Sequence, residues 1–196
     1  MENNWDKTVE ILDGGGIGIL PTDTIYGMVG SALIPEAVER IYQARKRDKD
    51  KPLIILISKM KDLALFGIHP DRSSEKILER LWPGEISVVL PCPNEKFKYL
   101  HRGGKTLAFR LPNKESLICL LKKTGPLVAP SANPEGDRPA GSISEAKNYF
   151  GNQVDFYIDE GITKSSPSSL VSLENSRLKI LRKGRNIALD KIFKIC

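Results

Sequence analysis

The sequence is poor in the residues that most enzymes rely on for metal binding or nucleophilic attack. It has two histidines and three cysteines in 196 residues. His69 and His101 lie in polar, loop-like stretches, which argues against a histidine-based metal centre or nucleophile. Cys92, Cys119 and Cys196 are far apart, odd in number and never in a CxxC pair. That excludes a zinc ribbon and a disulfide framework and fits a reducing cytoplasm. No apolar run approaches the roughly 20 residues of a membrane-spanning helix. The first ten residues, MENNWDKTVE, are polar and acidic rather than a secretory signal. Neither GxxxxGK[ST] nor GxGxxG occurs, so a nucleotide bound here would use neither standard phosphate cradle. The run DGGGIG from Asp13 imitates one only weakly and is expected to stop a helix and turn into the first strand.

What is present is an alternation of apolar segments and turn residues. With 40% hydrophobic residues and no Ser/Gly/Pro linker, the chain is expected to form one domain over 1–196. Trp5, Val9 and Leu12 share a helical face, as do Val38, Ile41, Tyr42 and Arg45 behind Pro35. GIGIL, PLIILI, ISVVLP, TLAFRLP and PLVAP read as strands, and SSEKILERLW and KESLICLLKK as helices. PLIILI is continuously apolar, as in a central strand. The last third holds short strands, VDFYIDEG, SSLVSL and RLKILRKG, at a spacing compatible with antiparallel pairing. The expected fold class is α/β, a twisted mixed sheet of parallel and antiparallel strands with helices packed on it and a basic concave cavity.

Polar residues gather where strands end. PTDTIYG follows one strand and places three hydroxyls and a carboxylate between Thr22 and Tyr26. SANPEGDRPAGS follows another, and Arg110 sits between Phe109 and Leu111, where a cation needs a partner or a cavity. Between Glu39 and Lys51 six cations face three carboxylates, within a net charge of +6. A solvated helix end accounts for such a run as well as a ligand does. In open α/β sheets ligands bind outside strand ends, and hydroxyls, exposed backbone N–H groups and arginine forks suit phosphate and carboxylate oxygens. The charge makes an anionic partner plausible, whether nucleotide or tRNA.

In order, PTDTIYG, the basic segment before KPL, LWPGEISVVL, LAFRLP, APSAN, PSSLV and ILRKG resemble the YrdC-like family of L-threonylcarbamoyladenylate synthases. The resemblance runs from about Gly15 to Gly184 and looks like the single-domain form. It implies that L-threonine and bicarbonate form an N-carboxy-threonine, which ATP, accompanied by Mg²⁺ and with no dedicated protein metal site, activates to threonylcarbamoyl-AMP and pyrophosphate. A separate transferase would then modify N6 of adenosine 37 in tRNAs that read ANN codons, with direct tRNA contact possible and no membrane involved. Carried over, the resemblance assigns Thr24, Arg110 and Ser168 to the threonine. It assigns Arg45, Lys46, Arg47, Lys51, Thr106, Ser131, Asn133 and Arg182 to ATP, with Arg47, Ser131 and Asn133 at the reacting centre. Tyr26 is expected to brace its loop, and Asp23 to make a bracing hydrogen bond.

The sequence departs from the family pattern at several points. The K-x-R segment reads RKR, leaving Arg45 or Lys46 in the lysine position according to where the helix ends. Leu56 stands where a histidine is common, Glu85 where proline is, and PSSLV replaces the usual Ser-Thr pair with Ser168 and Ser169. Two other readings share these residues: an RNA-binding module without chemistry, and a related carbamoyl-adenylate enzyme acting on another amine.

Overall fold

The computed structural model describes residues 5–48, 50–163 and 166–184. Helix α1, Trp5–Asp13, ends in the glycine run. Gly14 and Gly16 return their N–H groups to Glu10 and Ile11, and Gly15 takes the left-handed φ of 80° that lets the chain reverse. Strands β1, Ile17–Pro21, and β2, Tyr26–Ser31, form the first hairpin. Helix α2, Pro35–Ala44, starts on proline and ends at Arg45. Strand β3, Ile54–Leu56, is followed by a 3₁₀ turn at Met60–Phe66. Helix α3, Arg72–Leu81, is capped by the Asp71 carboxylate, which accepts from the Ser74 N–H. Then come β4, Ile86–Pro91; α4, Lys98–His101; β5, Thr106–Arg110; α5, Glu115–Thr124; and β6, Leu127–Val128. Helix α6, Ile143–Phe150, is capped by Ser142. The described chain closes with β7, Phe156–Tyr157, and the hairpin of β8, Ser169–Glu174, and β9, Arg177–Arg182. Asn175 and Ser176, both at positive φ, form that hairpin's two-residue turn.

The described strands make one mixed sheet in the order β7-β1-β2-β6-β3-β5-β4-β8-β9. The fold class expected from the sequence is the one found, with PLIILI near the middle. The last third differs in one respect. The β8–β9 pair is antiparallel as expected, but β7 lies parallel to β1, and β8 parallel to β4. Short spacing along the chain invites local pairing, yet Phe156 and Tyr157 find a free edge at Gly18 and Ile19 instead. The Phe156 ring occupies the space that a side chain at residue 18 would need, 2.4 Å from where a Cβ would stand.

The two faces of the sheet are covered unequally. One face carries Ile17, Ile19, Met28, Ile55, Val88, Phe109, Val128 and Val171, all fully buried under α2, α3, α4 and α6. The other face carries Leu20, Val29, Leu56 and Leu127 under α1 and α5, which supply Leu12, Leu117, Leu120 and Leu121. Because side chains alternate along a strand, β5 gives Leu107 and Phe109 to the first face and Thr106, Ala108 and Arg110 to the second. Over β5, β4, β8 and β9 this second face opens into a cavity. Among the described residues no helix is long and apolar enough to cross a membrane.

The covered face should dominate stability. Phe109 is fully buried, edge-on to Phe66 at 5.1 Å between ring centroids. Phe109→Ala is expected to cost about 3–5 kcal/mol in urea unfolding. Thr106→Ala, three residues earlier on the open face, is expected to stay within about 0.5 kcal/mol.

Candidate functional site

The cavity has a volume of about 370 Å³. Its floor is the uncovered sheet face: Ile54, Val89, Thr106, Ala108 and Leu170. Its walls are three segments outside the strands: the loop after β1 (Thr22, Thr24, Ile25), the turn after α2 (Arg45, Arg47), and the residues after β6 (Ala129, Pro130, Ser131). Pro167, Ser168, Leu181 and Arg182 complete the rim from the β8–β9 hairpin. The site therefore lies on a sheet face as much as at strand ends, because the twisted sheet is left bare where α1 and α5 stop. Gly27 lets two walls approach each other. A Cβ there would stand 3.1 Å from Thr22 Cγ2 and 3.4 Å from the Pro130 carbonyl.

The hydroxyl crowd at the end of β1 is an ordered turn. Thr22 Oγ1 donates to the Ile25 carbonyl at 2.7 Å and accepts the Thr24 N–H at 3.2 Å. The Thr22 and Thr24 hydroxyls are 3.0 Å apart, and both residues are buried at the cavity wall. Tyr26 packs in the core and its hydroxyl donates to the Gly161 carbonyl at 2.7 Å, so it braces the loop as its sequence context implies. Asp23 accepts the Asn113 N–H at 3.2 Å, also the bracing bond expected.

Arg110 has both a partner and a cavity. Its Nη2 lies 3.0 Å from Asp23 Oδ1 and donates to Thr22 Oγ1 at 3.4 Å, while its Nε is buried with no hydrogen-bond partner. Burial lowers its affinity for its proton, offset in part by Asp23. Arg45 is buried too, but among the described residues no carboxylate forms an ion pair with it, and Glu135 favours its charge only from a distance. Its Nε donates to the Asn133 carbonyl at 2.9 Å and its Nη2 to Ser131 Oγ at 3.3 Å, and Nη1 has no partner. Burial, then the like charge of Arg47, pulls this guanidinium down to about 10, so it remains a cation at neutral pH. Burial and Arg47 also lower Arg182. Arg47 thus disfavours the charge on both Arg45 and Arg182 around a single space. Among the described residues lining that space there is no carboxylate. Buried donors without partners and converging like charges are relieved when an anion enters.

The residues singled out in the sequence divide into two groups. Thr24, Arg45, Arg47, Thr106, Arg110, Ser131, Ser168 and Arg182 line the cavity. Lys46, Lys51 and Asn133 do not. The register of RKR is settled by the backbone: Lys46 takes a left-handed φ of 49° and is exposed, while Arg45 and Arg47 turn inward. Lys51 is exposed and bonded to Glu135. Asn133 is buried behind the wall, its amide donating to the Pro134 and Asp137 carbonyls and its own carbonyl holding Arg45. Ser168 faces the cavity and shares a hydrogen bond with Ser87, at 2.9 Å, whereas Ser169 turns away to receive the Gly184 N–H. Leu56 is packed under α5 and not at the cavity, so the departure at that position leaves the wall intact. Sequence reading missed the apolar half of the lining, including Pro52, Val89 and Leu170, because nothing in a strand's own alternation tells which face stays open. It also missed Glu135, whose loop composition marks only a turn.

An anion probe tests this division. In isothermal titration with inorganic pyrophosphate, Arg45→Ala is expected to weaken binding at least tenfold, about 1.4 kcal/mol. Lys46→Ala is expected to stay within about twofold. A larger loss at Lys46 would mean that the turn presents the wrong cation in solution.

The profile of the Sua5/YciO/YrdC family, described as telomere recombination, matches residues 10–184. The threonylcarbamoyl-AMP synthase of Pyrococcus abyssi is 32% identical over 184 residues, covering 92% of this chain and 54% of that one. The Bacillus subtilis protein of the same name is 29% identical, covering 88% of this chain and 50% of its own length. The chain thus spans about half the length of these curated relatives. The crystal structure of P. abyssi Sua5 complexed with L-threonine superposes with a TM-score of 0.88 at 29% identity, over 96% of this chain and 56% of that one. With the profile spanning nearly all of the described fold and a relative at this identity aligned along most of the chain, the protein belongs to the Sua5/YciO/YrdC family.

Proposed function

We propose that this cavity makes L-threonylcarbamoyl-AMP and pyrophosphate from L-threonine, bicarbonate and ATP. The observation that carries the reading is the set of arginines that converge on one space with no carboxylate among its described lining residues, beside a buried threonine-rich turn. The threonine amine attacks the bicarbonate carbon and water leaves, giving a carbamate. A carbamate oxygen then attacks the α-phosphorus of ATP, the bond to the bridging oxygen breaks, and pyrophosphate departs. The nucleophile is already an anion, so the protein needs no strong general base. It needs to neutralise the triphosphate, align two reactants and keep water from a labile mixed anhydride. A wall rich in guanidinium and hydroxyl groups, with no histidine or cysteine among its described residues, suits that chemistry.

In this reading Arg110 pairs with the threonine carboxylate, and Thr24 and Ser168 meet its other polar groups. Arg45, Arg47 and Arg182 hold the phosphates, with Thr106 and Ser131 beside them. Asn133 acts through Arg45, whose side chain its carbonyl orients. The wall offers hydroxyls and guanidiniums, so the Mg²⁺ that accompanies ATP travels on the phosphates. The reading places the protein in the cytoplasm, upstream of a transferase that delivers the threonylcarbamoyl group to tRNA. The P. abyssi relative's complex with L-threonine and the names of the relatives support the choice of amine.

Two experiments check it. With ATP, Mg²⁺ and bicarbonate, pyrophosphate release is expected to be at least about tenfold faster with L-threonine than with L-valine, since valine leaves buried hydroxyl partners unpaired at roughly 1–3 kcal/mol. Equal rates would rule out a pocket that reads the hydroxyl. Arg110→Ala is expected to raise KM for threonine at least about tenfold and KM for ATP far less. A variant that unfolds instead would assign Arg110 to the ion pair with Asp23 alone.

A further inference from the structure

Two segments outside the helices and strands carry Arg45, Arg47 and Ser131 to the cavity: the turn after α2 and the loop 131–137. Chain outside a ladder must be fixed by other bonds. Here the fixing is reciprocal. From the turn, Arg45 reaches across to Ser131 and Asn133. From the loop, the Glu135 N–H donates to the Arg45 carbonyl at 2.8 Å, and the Glu135 carboxylate accepts from the Asp48 N–H and from Lys51 Nζ, each at 2.5 Å. One residue therefore grips the turn at three points. Arg47 depends on the same turn, because its Nε donates to the Lys51 carbonyl at 3.1 Å and its Nη2 to the Pro52 carbonyl at 3.2 Å. Tyr42 anchors that Lys51 carbonyl from the core side at 2.9 Å.

We propose that Glu135 is a positioning residue: it latches the 45–51 turn to the loop after β6 and so holds Arg45 and Arg47 in the geometry that receives the triphosphate. Lys51 is the latch's counter-ion and not a ligand contact. The alternative use of a negative charge so near the basic turn, competition with the incoming anion, is disfavoured by geometry. Both carboxylate oxygens are already engaged, and Glu135 is not part of the cavity wall. The Lys51–Glu135 pair is largely solvent-exposed on the lysine side, so it contributes little to global stability. Its effect lies in the order of two loops.

The inference rests on the cavity being an ATP site, and its test separates the two. Amide hydrogen exchange reports the latch without any ligand. In Glu135→Ala the peptide covering residues 45–52 is expected to exchange at least about tenfold faster, with Tm essentially unchanged. In steady-state assays the same variant is expected to raise KM for ATP at least about tenfold and to leave KM for threonine within about twofold. Lys51→Ala should act in the same direction, the double variant should be no worse than either single one, and the reversed pair Glu135→Lys with Lys51→Glu should recover part of the loss. Unchanged exchange in Glu135→Ala overturns the latch. So does unchanged or tighter ATP use, because it would mean that Lys51, once freed, serves the nucleotide. If the unmodified protein neither binds nor uses ATP, the functional reading fails, while the exchange experiment still decides whether Glu135 orders the turn.

Discussion

A buried arginine without a carboxylate partner is the constraint around which this site is arranged. Removing a guanidinium from water is costly unless its donors are met, and Arg45 meets them with a carbonyl and a hydroxyl from a loop 86 to 88 residues away. That solution leaves the positive charge unneutralised and one donor unpaired. It also ties the end of α2 to the residues following β6, so two walls of the cavity are placed by one side chain. The folded state thus presents a buried cation with a free donor at the cavity wall.

The sheet makes such an arrangement affordable. One face is buried under four helices and a 3₁₀ turn, and that core supplies the stability. The opposite face is covered by α1 and α5 over only part of its width. Small or hydroxylated side chains at Thr106, Ala108, Val89 and Ser168 keep the remainder hollow. Apolar floor and cationic rim then give a space of low polarity in which each charge interaction is stronger than in water. That combination suits the reaction proposed for the site, whose product is a mixed anhydride that water would destroy.

Arg110 and Arg45 illustrate two ways of holding a cation ready. Arg110 is balanced by Asp23, so it stays charged deep in the protein and can share its fork with a second carboxylate of modest size. Among the described residues lining the cavity no carboxylate pairs with Arg45, Arg47 or Arg182, and Arg47 repels the other two, which suits a polyanion. In the proposed reading, this difference in neutralisation assigns Arg110 to a singly charged group and the other arginines to a multiply charged one, without any change of fold between them.

The local features of this protein were legible in the sequence because they depend on residues a few positions apart. Helix faces, the glycine stop after α1 and the antiparallel pairing of the last two strands follow from spacing alone, and so did the mixed α/β sheet. The motif residues could also be named, and most of them meet at one cavity. What the sequence left open were contacts between distant segments. Whether Arg45 or Lys46 faces inward depends on the left-handed backbone at residue 46, where the Lys46 and Arg47 N–H groups return to the Gln43 and Tyr42 carbonyls, and on Asn133 and Glu135, far along the chain, which bond to Arg45. The parallel pairing of β7 with β1 depends on a free sheet edge and on the lack of a side chain at Gly18. Lys51 carries the charge expected of a phosphate ligand, but it lies outside the cavity lining and bonds to Glu135, a contact no local spacing announces. Local spacing determines which side chains share a face, and long-range packing alone determines what that face meets.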